Sequence, residues 1–363
     1  MSDTKPIRHG EELDAKNLQT FLREKLDVKI GEIEISQFPG GSSNLTYCVK
    51  IGADEYVLRR PPFGNQVKSA HDMSREFNVL SKLSAVYKPA PKPLIYCDDE
   101  TIIGSEFYLM ERRKGLIIRG KSPTAETRAL ASGQSETLET SQDLRKKVVE
   151  SFIENLANLH GLDYRKIGLE NLGKPEGYAE RQVTGWTKRY FNAKTDEHFE
   201  LEKSIEWLNS NIPNSNGASL IHNDYKFDNV MLNPNDLTEI IAVLDWEMTT
   251  IGEPLMDLGS SLAYWMSKEN GETMLSMPFN PRVLMENISR QELVEIYEEK
   301  SGKKVSDIVF YYVFGTFKLA VIAQQIYFRY TKGFTKDKRF ATFNYFVNSL
   351  GKIALNAIEK QKI

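Results

Sequence analysis

The stretch LIHNDYKFDNVML, Leu220 to Leu232, sets His222, Asn223, Asp224, Lys226, Asp228 and Asn229 between two apolar runs. Asp224 and Asn229 stand five residues apart, and Asp245 follows in AVLDWE. Phosphoryl transfer is one chemistry that uses such a set. It needs a carboxylate to orient an attacking hydroxyl and accept its proton, hard oxygen ligands for Mg²⁺, and cations around the phosphates. In that reading Asp224 is the base, and Asn229 and Asp245 are the metal ligands. Asp245 is flanked by Val243, Leu244 and Trp246, a setting where an unpaired carboxylate is costly. The competing use of Asp224 is to cap a backbone N–H in an ordinary turn.

The elements that position these residues follow from periodicity. Leu18, Phe21, Leu22 and Leu26 predict an amphipathic helix over Glu11 to Leu26. IGEIEISQF, LTYCVKI and EYVLRR read as strands, with the break PGGSSN after the first and a glycine turn after the second. SREFNVLSKLS reads as a helix with Phe77, Leu80 and Leu83 on one face, and EFYLMER returns to strand. Residues 115–141 are polar and read as a mobile insertion. Val149, Phe152, Ile153, Leu156 and Leu159 predict the buried face of a strong helix from Leu144 to His160. Helices are expected near Thr184–Phe191 and Glu200–Ser210. TEIIAVLDWE forms a hairpin with the 220–232 stretch, and the remainder is mainly helical. This order gives a strand-rich lobe, a connecting strand, and a helical lobe interrupted by one hairpin.

The 363 residues, with 27% charged, 40% hydrophobic and a net charge of −3, describe a soluble globular chain. They give no electrostatic case for nucleic acid or a membrane surface. Cys48 and Cys97 have no metal-ligand companions, so zinc is not expected, and so few cysteines suit a reducing compartment. The first residues lack the apolar core of a signal peptide. Tyr311 to Tyr330 is long enough to span a bilayer, but Lys318, Gln324, Gln325 and Arg329 favour a buried helix. A soluble, cytoplasmic protein without membrane or nucleic-acid partners is the expectation.

HNDYKFDN resembles the kinase catalytic loop H-R-D-L-x-x-x-N, with His222, Asp224 and Asn229 at the matching positions and Lys226 where many kinases also carry lysine. Asp245 of LDW resembles the D-F-G aspartate, but Trp246-Glu247 replaces Phe-Gly and no A-P-E segment follows. That departure argues against a regulated protein kinase. Together FPGGSSNLTYCV, YVLRRPP, FYLMER, LIHNDYKFDNVM, VLDWEMTTIGEPLMDL and FKLAVIAQQIYFRY resemble the aminoglycoside phosphotransferase and choline kinase superfamily, and within it the kinase-like domain associated with acyl-CoA dehydrogenases. The resemblance runs from about Phe38 to Tyr330, and no dehydrogenase domain is expected.

The resemblance implies an α+β, bilobal protein-kinase-like fold, with an N-terminal antiparallel-sheet lobe and a larger, mainly helical C-terminal lobe. The lobes are expected over 1–110 and 111–363, with the insertion at 112–142. It implies that Gly40, Gly41, Ser42 and Ser43 lie over the phosphates of ATP or GTP. Arg59 stands where kinases place a lysine, with Glu76 as its partner and Arg60 as the alternative phosphate contact. Met110, Glu111 and Arg112 mark the crossing between lobes, where backbone groups meet the purine. Lys226 faces the moving phosphate or the attacking hydroxyl, and His222 and Asp257 brace the loop. Asp228, where the family pattern varies, reads as a solvated loop residue from the tendency of turns to hold Asp.

The implied activity is transfer of the ATP γ-phosphate, with Mg²⁺, to a hydroxyl of a small molecule. Lys318, Gln325, Tyr327 and Arg329 are expected towards the cleft. They favour an acidic acceptor such as a hydroxyacyl-CoA over an aminoglycoside, choline or homoserine-type alcohol. The alternative class is a pseudokinase-like module that holds nucleotide without turnover.

Overall fold

The computed structural model describes residues 3–26, 32–39, 44–63, 72–119, 138, 140–214, 217–275, 277 and 280–363. Two compact units emerge: residues 1–114 with Ile241–Glu247, and residues 115–240 with 248–363. Gly40 to Ser43 and most of the expected insertion lie outside the described residues.

The first unit is built on one antiparallel sheet of strand order β1-β2-β3-β5-β4. Its strands are β1 (Ile33–Gln37), β2 (Leu45–Ile51), β3 (Asp54–Arg60), β4 (Pro93–Cys97) and β5 (Phe107–Glu111). β2 and β3 turn at Gly52, whose φ of 63° suits a residue without Cβ. Helix α1 (Ala15–Lys25) starts where Asp14 accepts the Asn17 N–H at 2.9 Å. It buries Leu18 and Leu22 in a core with Tyr47, Val49, Leu58, Phe107 and Leu109. Helix α2 (Met73–Leu83) is capped in the same way by Asp72. Its buried face carries Met73, Glu76, Val79, Leu80 and Leu83. Periodicity placed Phe77 on that face, yet Phe77 lies half-buried beside the rings of Tyr96 and Tyr108. The carboxylate of Glu76 takes the inner position instead.

The second unit is mainly helical: α3 (Gln142–His160), α4 (Tyr178–Ala193), α5 (Phe199–Ser210), α6 (Pro254–Tyr264), the short α7 (Glu272–Leu275) and α8 (Arg282–Met285), α9 (Arg290–Ser301), α10 (Ile308–Thr331) and α11 (Phe343–Lys360). The apolar face expected of α3, Val149 to Leu159, is buried. Short strands interrupt the helices. β6 (Ser219–Ile221) pairs antiparallel with β9 (Thr250–Gly252), while β7 (Val230–Asn233) pairs with β8 (Asp236–Val243). The two apolar runs flanking the polar loop therefore join different ribbons.

Helix α10 has the length and apolar character of a membrane span, but every residue from Phe310 to Val321 is buried within the unit. All-round burial is the reason for its all-round apolarity. It crosses α6 where both helices carry glycine: a Cβ on Gly315 would lie 2.2 Å from Gly259 O, and one on Gly259 2.2 Å from Tyr311 O. Backbone touches backbone there, which no larger residue permits.

Candidate functional site

The loop between β6 and β7 holds its aspartate by several donors at once. Asp224 receives Lys226 Nζ at 3.0 and 2.8 Å, Asn229 Nδ2 at 2.9 Å and the Tyr264 hydroxyl at 3.2 Å. Asn229 Nδ2 also donates to Asp224 O at 2.9 Å, so the amide spends its nitrogen on the loop and keeps Oδ1 as a hard acceptor. Lys226 lies 4.8 Å from the Tyr264 ring centroid. Burial opposes the charge on Lys226, but Tyr264 and Asp224 outweigh it and raise its pKa. Burial together with Asp224 also pushes the Tyr264 hydroxyl above its usual range. Tyr264 was missed at the sequence level, because forty residues separate it from Asp224 and nothing local marks it.

Below this loop sits a buried carboxylate. Asp257 accepts the backbone N–H of His222 at 2.7 Å and of Asn223 at 2.8 Å, and meets His160 Nε2 at 3.2 Å. His160 Nδ1 in turn meets the Tyr297 hydroxyl at 2.8 Å. Burial would raise the Asp257 pKa, but the bond and charge of His160, the charge of His222 and the loop N–H hold it below the usual aspartate value. The His222 ring takes the Asp224 N–H on Nδ1 at 3.2 Å. Asn223 is at φ 66°, a left-handed conformation that asparagine tolerates better than most residues. Its side chain accepts from Tyr178 and donates to Met248 O, while its carbonyl accepts from Lys318 Nζ at 2.6 Å. Asp228, expected to be solvated, is ion-paired with Arg119.

Asn223 and Lys318 also line a cavity of about 410 Å³, with Tyr178, Trp186 and Met248. Among the described residues its charged lining consists of Lys174, Arg181, Arg189 and Lys318, four cations and no carboxylate. Gln325, Tyr327 and Arg329, expected alongside Lys318, are absent from that lining. They occupy the last turns of α10, beyond its fully buried stretch.

The first unit holds the other expected residues. Arg59, 11% exposed, lies 3.2 Å from Glu76 Oε2 through Nε, and its Nη2 donates to Asp245 Oδ1 at 3.1 Å. Glu247 Oε2 is 3.8 Å from the same Nη2 and accepts from Asn44 Nδ2 at 2.7 Å. Burial alone would destabilise the guanidinium, but Glu76, Asp245 and Glu247 more than restore it and keep Arg59 charged. Asp245 stands at φ 68°. Beside it Trp246, fully buried, donates Nε1 to Val243 O at 2.8 Å and meets Tyr87 edge-on. The tryptophan thus anchors the segment that presents Asp245. Asn44 and Glu247 had no sequence signal as partners.

Three neighbouring side chains have structural duties. Arg60 is buried, donates to Pro61 O and Ile103 O, and stacks on Phe63. Arg112 bonds Asp3, Glu55 and Cys48. The Glu111 N–H donates to Lys92 O at 2.9 Å, and its side chain pairs with Arg113.

A family profile described as the phosphotransferase enzyme family matches residues 34–276. The chain belongs to that family. Human acyl-CoA dehydrogenase family member 11 is 34% identical to this phosphotransferase-family chain over 373 residues, covering 98% of it but 44% of the relative. The chain thus spans less than half the length of that relative. A Ralstonia eutropha structure assigned as an aminoglycoside phosphotransferase superposes with a TM-score of 0.77 at 25% identity, over 96% of this chain and 99% of that one. Choline kinase from Cryptosporidium parvum follows with 0.64 and 13%, over 96% of both chains. The fold is the kinase-like one that the motifs implied: a five-stranded antiparallel sheet followed by a mostly helical part.

Proposed function

We propose that this chain transfers the γ-phosphoryl group of ATP to a hydroxyl of a small acidic molecule, with a hydroxyacyl-CoA as the leading acceptor. The observation that carries this is the grip on Asp224 by Lys226, Asn229 and Tyr264. A carboxylate held by three side-chain donors is fixed in direction, as a group that must orient and deprotonate an alcohol has to be. In the reaction an acceptor oxygen forms a bond to the γ-phosphorus. The bond from that phosphorus to the β,γ-bridging oxygen breaks, and ADP leaves with its electrons. The hydroxyl proton passes to Asp224 and then to solvent.

Each unit carries part of what this chemistry requires. In the second, Lys226 is the cation beside Asp224 that meets the transferred phosphate. In the first, Arg59, backed by Glu76, meets the donor phosphates. Gly40, Gly41, Ser42 and Ser43, outside the described residues, are assigned to the same phosphates on the resemblance of their sequence to a kinase glycine-rich loop. Met110 lies within β5 in register with Val57 and Pro93, and the Glu111 N–H is spent on Lys92 O. Of the crossing segment, the Glu111 carbonyl and the Arg112 backbone are therefore assigned to the purine. Asn229 Oδ1 and the Asp245 carboxylate are oxygen donors of the hardness Mg²⁺ prefers. When bound, that ion neutralises charge on the phosphates.

Four cations and no acid among the described residues lining the cavity beside Asn223 favour an anionic acceptor over a cationic aminoglycoside or choline. The acyl-CoA dehydrogenase name of the relative points towards a thioester. A non-catalytic nucleotide-binding module would have no use for the grip on Asp224. Buried, free Cys48 and Cys97 suit the cytoplasm. The test is Mg·ATP-dependent ADP release across short-chain hydroxyacyl-CoAs, choline, homoserine and an aminoglycoside. Release stimulated only by the hydroxyacyl-CoAs is expected; stimulation by the cationic alcohols alone would overturn the acceptor class.

A further inference from the structure

Lys318 is a buried cation whose protein partners do not neutralise it. It sits in the buried run of α10, 6% exposed. Its Nζ donates to Asn223 O at 2.6 Å and lies 5.7 Å from the Trp186 ring centroid. Asp224 and Asp257 act on it electrostatically, but these carboxylates are paired with Lys226 and His160. Among the described residues no carboxylate forms an ion pair with Lys318. A carbonyl satisfies one of its three N–H donors, and an ammonium held this way is costly unless something else meets it. Burial accordingly weakens its hold on the proton.

Among the described residues, the cavity that Lys318 lines supplies no anion of its own, and Lys174, Arg181 and Arg189 are its other charged residues. Arg189 covers the Trp186 ring at 4.5 Å, so the indole packs near two cations. Four like charges around about 410 Å³ repel one another until a negative group enters. The pocket is built for one.

We propose that a carboxylate or phosphate ester on the acceptor is the missing counter-ion of Lys318, and that Lys318 thereby links acceptor recognition to the loop carrying Asp224. This rests on the phosphotransfer reading above. The link is the Asn223 carbonyl: Lys318 holds it from the cavity side, and Asp224 is the next residue. An anion keeps Lys318 charged and its bond to Asn223 strong. A neutral acceptor leaves the ammonium under-satisfied and the loop less firmly held. The binding energy of the anion then appears in kcat as well as in KM.

Two matched pairs of alcohols test this: 3-hydroxybutyrate against 1,3-butanediol, and glycerol 3-phosphate against glycerol. Calorimetric binding without nucleotide and ADP release with Mg·ATP are measured for wild type, Lys318→Met, Lys318→Arg and Arg189→Ala. The wild type is expected to favour the anionic member of at least one pair by about tenfold or more. The pair that shows it tells carboxylate from phosphate. Lys318→Met should erase the preference and lower kcat on the anionic alcohol. Lys318→Arg should restore part of both, and Arg189→Ala should chiefly raise KM. A thermal melt of each variant separates loss of fold from loss of recognition. Equal binding of charged and neutral members, including no binding of any, would overturn the proposal, as would a Lys318→Met variant that keeps the preference. Anion-selective binding that depends on Lys318 but never gives ADP release supports the counter-ion and instead sinks the phosphotransfer reading.

Discussion

Gly315 and Gly259 meet backbone to backbone across α10 and α6, with a Cβ on Gly315 destined to fall 2.2 Å from the Gly259 carbonyl oxygen. No side-chain rotation relieves a clash between Cβ and main chain. Gly315→Ala should therefore force the helices apart and cost about 1–3 kcal/mol. Thermal or urea unfolding measures it. An unchanged midpoint would mean that the crossing is looser than described.

Asp224→Asn keeps the shape of the side chain but removes its charge and its ability to accept a proton. Turnover should fall by roughly 10²–10⁴-fold, while calorimetry with Mg·ATP shows nearly unchanged nucleotide affinity. Undiminished turnover would remove Asp224 from the chemistry.

Tyr264 donates to Asp224 at 3.2 Å and packs beside Lys226. Tyr264→Phe deletes one hydroxyl and leaves the ring. A net hydrogen bond contributes about 0.5–1.5 kcal/mol, so kcat should drop by a few-fold to about tenfold. A drop in stability with no change in kcat would make the role purely structural.

Arg59 holds charge against the buried Glu76. Arg59→Ala should weaken Mg·ATP binding. It should also destabilise the first unit by about 3–5 kcal/mol, because it strands a buried carboxylate. The double variant with Glu76→Gln should recover much of that stability without recovering nucleotide affinity. Recovery of both would argue that Arg59 serves packing alone.

The Asp257 pKa is depressed in the folded state, so this carboxylate takes up its proton later in the native chain than in the unfolded one. Its stabilisation is complete above the ordinary aspartate range and is lost as pH falls through its lower, native value. Acid unfolding followed by circular dichroism should show that loss. In Asp257→Asn the acid limb should be shallower and stability at neutral pH lower. An identical acid limb in the variant would rule Asp257 out as a contributor.

Much of the site was legible because its residues are local. Asp224, Lys226 and Asn229 lie within six positions, and their mutual bonds follow from that spacing. Arg59 with Glu76 was legible by analogy, since strand and helix recur in that order. Tyr264, Asn44 and Glu247 were not: each reaches its partner across dozens of residues or more, where periodicity carries no information. Glu76 exposes a second limit. An apolar-face rule gives the inner position to Phe77, but an ion pair with Arg59 overrides it. Arg60 and Arg112 show the converse, cations whose neighbours along the chain look functional while they themselves tie down carbonyls and carboxylates.

The carboxylate of Asp257 closes on the amide hydrogens of His222 and Asn223 from a fully buried position. Those two amides are shielded from solvent by the very bonds that shape the loop. They should exchange with deuterium far more slowly than loop amides generally do. Their exchange rates are then a clock for the opening of the loop, readable in the resting protein before any acceptor is known.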